Sequence, residues 1–166
     1  MVYTMVFNVD GGCRGNGYRY AIGAAAACLM MPGSYKYRFK TSRLSTTNYD
    51  ATNQRAEILA ITMALKWALE KYDTLDSNPE LDLTINSDSQ YAVDCMNEWI
   101  YKWVRNGWTT TRGQPVKNRD LIEVASDLDD RVKELGIVEY VYIPREDNQC
   151  ADKHCNEALD EMEDEN

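Results

Sequence analysis

The sequence holds a single histidine among 166 residues, with only four prolines, two phenylalanines and five cysteines. Each scarcity excludes something. One histidine cannot furnish a multi-histidine metal centre. The cysteines at 13, 28, 95, 150 and 155 contain no C-x-x-C pair, and their odd number argues against a complete disulfide framework. They read as reduced, mostly packed thiols. No run approaches the ~18 consecutive apolar residues of a membrane span. The N-terminus also lacks the charged and apolar regions of a secretory signal. The expectation is a chain with no membrane partner, located in the cytoplasm or, in a eukaryote, the nucleus. Basic charge is short too: 18 Lys and Arg against 27 Asp and Glu leave a formal net charge of −9.

What is present favours one compact domain over residues 1–166: 44% hydrophobic and 27% charged residues, no internal repeat, and no linker rich in Pro, Gly or Ser. The charge is unevenly placed. Between Lys102 and Arg119 lie five basic residues (Lys102, Arg105, Arg112, Lys117, Arg119) and no acid, while Glu157 onward carries six acids and no base. Screening confines exposed charges to roughly 8 Å at physiological salt, so a local basic segment can meet phosphates whatever the total. Residues 157–166 read as a solvated, frayed acidic tail.

Hydrophobic patterning predicts strands at 2–10, 20–31 and 34–42, the last two joined at Pro32-Gly33. The clearest helix spans 53–71, where an apolar stripe from Ala56 to Ala68 marks a central element and Thr52 or Asn53 suits the N-cap. A strand at 81–87, a helix over SQYAVDCMNEW, a Trp-rich basic segment, a helix over 117–135, a strand at 137–143 and a final helix from about Asn148 follow. A meander that then alternates strand and helix implies an α/β fold with a mixed sheet.

The stretch VFNVDGGCRGNG takes a buried strand into Asp10 and then into glycines, which suits either a plain turn or a backbone that something approaches closely. It is not G-x-G-x-x-G and no Lys-Ser/Thr follows, so a nucleotide-phosphate loop is excluded. Asp10 has company. Asp88 ends the fourth strand, Glu57 lies near the start of the central helix and Asp152 near the start of the last. Ligands gather at the carboxyl ends of strands in open α/β sheets, which can bring the four acids together. Two bare carboxylates ~4 Å apart repel by about 4 kcal/mol at an effective dielectric near 20. Hard divalent cations remove that cost, and a pair of them can promote phosphodiester cleavage. Spacing alone leaves open that each acid is only a cap or a surface residue.

The motifs VDGGCRGNG, TNQRAEI, SDSQY, W-I-Y-K-W…N-G-W with PVKN, and N-Q-C-A-D stand in the order of the cellular type 1 ribonuclease H family, which the chain resembles over roughly residues 2–160. The resemblance implies a ribonuclease H-like fold, with a five-stranded sheet in the order 3-2-1-4-5 and strand 2 antiparallel. It implies an endonuclease that cuts the RNA strand of RNA–DNA hybrids with two Mg²⁺ ions, Mn²⁺ able to substitute, leaving 5′-phosphate and 3′-hydroxyl ends. Asp10, Glu57, Asp88 and Asp152 then become the catalytic, metal-binding acids. No obligate protein partner is implied, and the expectation is a monomer.

The same resemblance assigns the nucleic-acid contacts. Gly11, Gly12 and Cys13, with Arg14 beside them, admit the 2′-hydroxyl that distinguishes RNA. Asn16, Asn53 and Gln54 reach the minor groove, where amides read without demanding a sequence. Lys102, Arg105, Arg112 and Lys117 neutralise phosphates, Trp103 or Trp108 lies against the DNA strand, and Thr52 and Asn118, helped by Arg55, grip a DNA phosphate. The chain departs from many relatives in one place. Its loop YIPREDNQCAD is short and lacks the usual histidine, which leaves Arg145, Glu146 or no residue at all to assist product departure. His154, the only histidine, lies about 200° around the helix from Asp152 and reads as a packed residue. Two alternatives share the fold: a DNA-processing nuclease of the transposase or resolvase kind, and a ribonuclease H domain of a reverse transcriptase. A non-catalytic hybrid-binding module is a third. The chain's own Met1 and acidic tail favour a free-standing protein.

Overall fold

A computed structural model describes residues 1–165. Five strands, β1 (Val2–Arg14), β2 (Ile22–Met30), β3 (Tyr37–Arg43), β4 (Glu80–Ser87) and β5 (Gly136–Tyr142), form one sheet in the order β3-β2-β1-β4-β5. β2 runs antiparallel to β1 and β3, while β1, β4 and β5 are mutually parallel. Sheet order and strand direction are those expected.

Period-2 alternation on β1 sorts the two faces. Met5, Phe7 and Val9 point into the main core, under helix α1 (Asn53–Tyr72) and helix α4 (Arg119–Lys133). Each such buried side chain contributes roughly 1.5–3 kcal/mol. Phe7 meets Trp67 edge-on, ring centroids 5.4 Å apart. The opposite face is covered by α5 (Gln149–Asp164), whose Cys155 and Leu159 pack on Ala24 and Ala26. The alanines of β2 are buried on both faces, and their small side chains let helices close in from either side.

Three of the departures from the sequence reading have a tertiary reason. β1 does not stop at Asp10 but continues through both glycines to Arg14, because β2 supplies partners as far as Arg14↔Ile22. The helix after β4 does not end at Trp99. α2 (Gln90–Asp94) passes through a π-helical turn (Cys95–Trp99) into α3 (Ile100–Asn106), which stops at Gly107 in the left-handed region. The first part of the Trp-rich segment is therefore helical. Most of the acidic tail is helix as well, since α5 runs to Asp164 with Asp160 and Glu163 paired to Arg14.

Candidate active site

Gly11 decides how the site is assembled. A Cβ on it would fall 2.2 Å from the backbone carbonyl of Ala56, so only glycine lets the first turns of α1 rest on β1 beside Asp10. That contact carries Glu57 to the strand. Gly12 faces the other way, where an added Cβ would stand 3.3 Å from Leu159 and 3.4 Å from Cys155 on α5. The glycines therefore admit two helices, one on each face of β1, and the plain-turn reading is excluded. The chain turns later, at Gly15, whose φ is +75°.

Asp10, Glu57, Asp88 and Asp152 line one cleft of about 510 Å³, together with Gly11, Gly12, Cys13, Arg14, Asn53 and Arg145. Burial pushes the Asp10 carboxyl up to about 8, with Asp88, Asp152 and Glu57 adding repulsion and the Asp152 carboxylate accepting a hydrogen bond from the protonated Asp10. Glu57 is also raised by burial and by Asp88, although the hydroxyl of Ser89 donates to its Oε2 at 2.6 Å and lowers it in part. Arg145 stands 3.7 Å from Asp152 on an otherwise exposed side chain. Charge of one sign is thus gathered in a partly dry cleft. Among the described residues, no group of three or more His, Cys, Asp or Glu is disposed to hold a metal ion as the side chains stand.

Two residues that the motif comparison leaves unassigned hold the acids in place. Ser89 positions Glu57 and caps α2 through the Ala92 N–H at 3.1 Å. Asn148, fully buried, donates Nδ2 to the carbonyl of Val9 at 2.8 Å, and its own carbonyl accepts the Asp152 N–H at 3.1 Å. Their only sequence signal was membership of SDSQY and NQCAD.

The nucleic-acid residues sort into three groups. Gln54, Lys102, Arg105 and Lys117 are exposed, and Trp103 is half-buried. Asn16 is exposed, with its Oδ1 accepting the Asn53 N–H at 2.8 Å, so this amide ties the β1–β2 turn to the start of α1. A second cleft of about 370 Å³ brings Thr52, Lys117 and Asn118 together and adds Arg119, to which no phosphate role was given. Thr52 Oγ1 caps α1 through the Arg55 N–H, and Asn118 donates to the Tyr91 hydroxyl at 3.0 Å from a left-handed backbone.

Three of the assigned residues already have partners. Arg55 is 5% exposed and gives both terminal nitrogens to Asp120 at 2.9 and 2.8 Å, while lining the same cleft as Thr52 and Asn118. Trp108 belongs to the main core, between Trp103 and Arg119, and has no free face for a DNA strand. Arg14 is not free either, because Asp160 and Glu163 meet its Nη1 at 2.8 and 2.9 Å. His154 is a packed residue, stacked on Phe39 at 3.6 Å with Nε2 2.9 Å from the Tyr37 hydroxyl.

The description of the RNase H family matches residues 3–160. The chain belongs to the RNase H family. Ribonuclease H of Clostridium botulinum is 32% identical over 159 residues, covering 95% of this chain and 97% of that protein. The crystal structure of RNase H1 from the halophilic archaeon Halobacterium salinarum superposes with a TM-score of 0.63 at 23% identity, over 96% of this chain and 99% of that one. LC11-RNase H1, solved in complex with an RNA/DNA hybrid, gives a TM-score of 0.65 at 22% identity, over 95% and 98% of the two chains. These structures share the fold of this RNase H family member. No described helix is long and apolar enough to cross a membrane.

Proposed function

We propose that the protein is an endonuclease that hydrolyses the RNA strand of RNA–DNA hybrids without sequence preference. The observation that carries this reading is the convergence of Asp10, Glu57, Asp88 and Asp152 on one cleft beside the glycine-lined backbone of β1. An all-carboxylate donor set with a raised Asp10 fits hard divalent cations, which relieve the repulsion, and does not fit soft ones. Mg²⁺ retains several waters and so leaves room for substrate oxygens. Two Mg²⁺ ions, or Mn²⁺ in their place, would supply charge compensation and Lewis acidity at the scissile phosphate when bound to these four side chains.

The chain's own residues do the rest. Ser89 fixes the Glu57 carboxylate, and Asn148 holds the start of α5 against the strand that carries Asp10. The backbone at Gly11 and Gly12, free of side-chain bulk, faces the ribose whose 2′-hydroxyl marks RNA. Asn53 lines the cleft, and it and the exposed amides of Gln54 and Asn16 are offered to the minor groove. Thr52, Lys117 and Asn118 form a pocket for a phosphate of the uncleaved strand. Trp103 supplies the flat contact, and Lys102 and Arg105 supply the salt-dependent attraction. Arg145, beside Asp152, is placed to draw a cleaved phosphate out of the cleft. All four acids come from one chain, which supports a single catalytic domain over residues 1–166 acting as a monomer. In this reading it works wherever hybrids form, in cytoplasm or nucleus.

Cleavage of labelled RNA–DNA hybrid, double-stranded RNA and duplex DNA, each with Mg²⁺ and with Mn²⁺, tests the proposal. The hybrid alone is cut, in its RNA strand, and Asp10→Asn abolishes turnover while hybrid binding persists. Cleavage of duplex DNA with the hybrid spared would move the protein to the DNA-processing relatives.

A further inference from the structure

The acidic end of α5 does not lie free in solvent. Asp160 and Glu163, three residues apart on one helix face, both reach the Arg14 guanidinium, at 2.8 and 2.9 Å, and the Asn156 carbonyl accepts from Arg14 Nη2 at 3.5 Å. Glu165 takes the Arg43 guanidinium with both oxygens, Nη1 to Oε2 at 2.6 Å. Arg14 ends β1 and lines the same cleft as the four acids. Arg43 ends β3, two strands away at the same end of the sheet, where Gly12 pairs with Ala24 and Ala24 with Arg43.

These contacts are poorly explained as stabilising architecture. Their side chains are 31% to 64% exposed, and ion pairs of that kind contribute little. Negative charge is moreover unfavourable at a helix C-terminus, and the last turn of α5 contains no base to offset it. What the arrangement does is present carboxylates to two arginines, Arg14 in the acid-lined cleft and Arg43 at the same end of the sheet beside a separate cleft.

We propose that the C-terminal turns of α5 are an internal phosphate mimic, with Asp160, Glu163 and Glu165 determining which polyanions displace them from Arg14 and Arg43. The inference rests on the hybrid-cleaving reading given above. A polyanion that offers only phosphates exchanges one set of anions on Arg14 and Arg43 for another and gains little. A hybrid that also fills the minor-groove and 2′-hydroxyl positions gains those contacts and wins the exchange. Affinity for the cognate substrate is reduced, and affinity for bulk nucleic acid is reduced more.

The triple variant Asp160→Asn/Glu163→Gln/Glu165→Gln tests this against the unaltered chain, with steady-state cleavage of a labelled hybrid measured from 50 to 200 mM salt. The expected result is an unchanged kcat and a KM about 3- to 10-fold lower at low salt. The dependence of log KM on log salt steepens by one to two, close to 0.9 for each cation released to a phosphate. Duplex DNA added as a competitor inhibits the variant at least 10-fold more strongly. Arg14→Ala raises KM several-fold in the variant and hardly at all in the unaltered chain. Glu163→Gln alone removes one contact and shifts KM in the same direction, which serves if the triple variant folds poorly. Unaltered KM, salt slope and competitor inhibition in a variant with a normal thermal transition would overturn the inference. Failure of the unaltered chain to cut a hybrid at all would instead overturn the reading it rests on.

Discussion

The Nδ2 of Asn148 donates to the carbonyl of Val9 at 2.8 Å, and both residues are fully buried. One neighbour of this bond is Asp10, next after Val9; the other is Asp152, whose N–H rests on the Asn148 carbonyl. A single residue, through its side-chain amide to Val9 and its main-chain carbonyl to Asp152, therefore spans the two elements that bring these carboxylates together.

Removing that amide separates positioning from packing. Asn148→Ala leaves the Val9 carbonyl unpaired in the interior, which costs about 1–3 kcal/mol. It also frees α5 to shift by a fraction of an ångström. Misplacement on that scale costs up to about 100-fold in rate. We expect kcat to fall about 10- to 100-fold with KM nearly unchanged, read by steady-state cleavage beside a thermal melt. A variant with lowered melting temperature and full kcat would assign Asn148 to stability alone.

The pH dependence of the metal-free protein follows from Asp10. Its carboxyl is raised to about 8 in the folded state, against an ordinary value near 4 when unfolded, so between those values the folded chain binds more protons. Stability then falls as pH rises from about 4 to 8, by no more than about 1.4 kcal/mol per pH unit for one proton. Thermal melts in chelator should show the decline. Millimolar Mg²⁺ should flatten it, and Asp10→Asn should flatten it without metal while raising the melting temperature at pH 8. A chelated protein as stable at pH 8 as at pH 5 would contradict the clustering of charge.

Gly11→Ala is expected to damage fold and activity together. The added methyl would sit 2.2 Å from the Ala56 backbone, a contact no rotamer relieves. Overpacking of this kind costs about 1–3 kcal/mol or more. Glu57 moves with α1, so residual turnover should drop at least 10-fold even at a temperature where the variant is folded. Gly12→Ala meets only side-chain atoms, at 3.3 Å and beyond, and should be milder in both assays.

Two tryptophans of the basic segment should separate cleanly. Trp108 is a core residue, and Trp108→Ala should lower stability by about 3–5 kcal/mol in a denaturant melt. Trp103 is half-buried on α3, and Trp103→Ala should raise KM for the hybrid about 5- to 10-fold at modest cost in stability. Equal effects of the two on KM would place both on the substrate.

Much of this was legible before the fold was known, and for identifiable reasons. Period-2 and period-3.6 patterning located every strand and the major helices, because core burial imposes those periods locally. The four acids stood out since each follows or opens an element at one end of the sheet. Boundaries were read less well where the deciding partner was remote. β1 outran Asp10 because β2 lay opposite, and α5 outran residue 157 because Leu159, with Ala158 and Met162, packs on the alanines of β2. Arg55 and Trp108 carried the right chemistry for nucleic acid, yet Asp120 and the core claimed them.

Composition and periodicity by themselves determined the α/β class and the order of the elements, since both are written in short-range patterns that backbone geometry enforces, while the four acids were singled out by the resemblance of their motifs. Only tertiary structure decided which glycine admits α1, which amide joins β1 to α5, and which cations remain free to meet a phosphate. Those outcomes depend on pairs far apart in the chain, such as Asn148 with Val9 and Asp160 with Arg14, and no local periodicity records which partner will arrive.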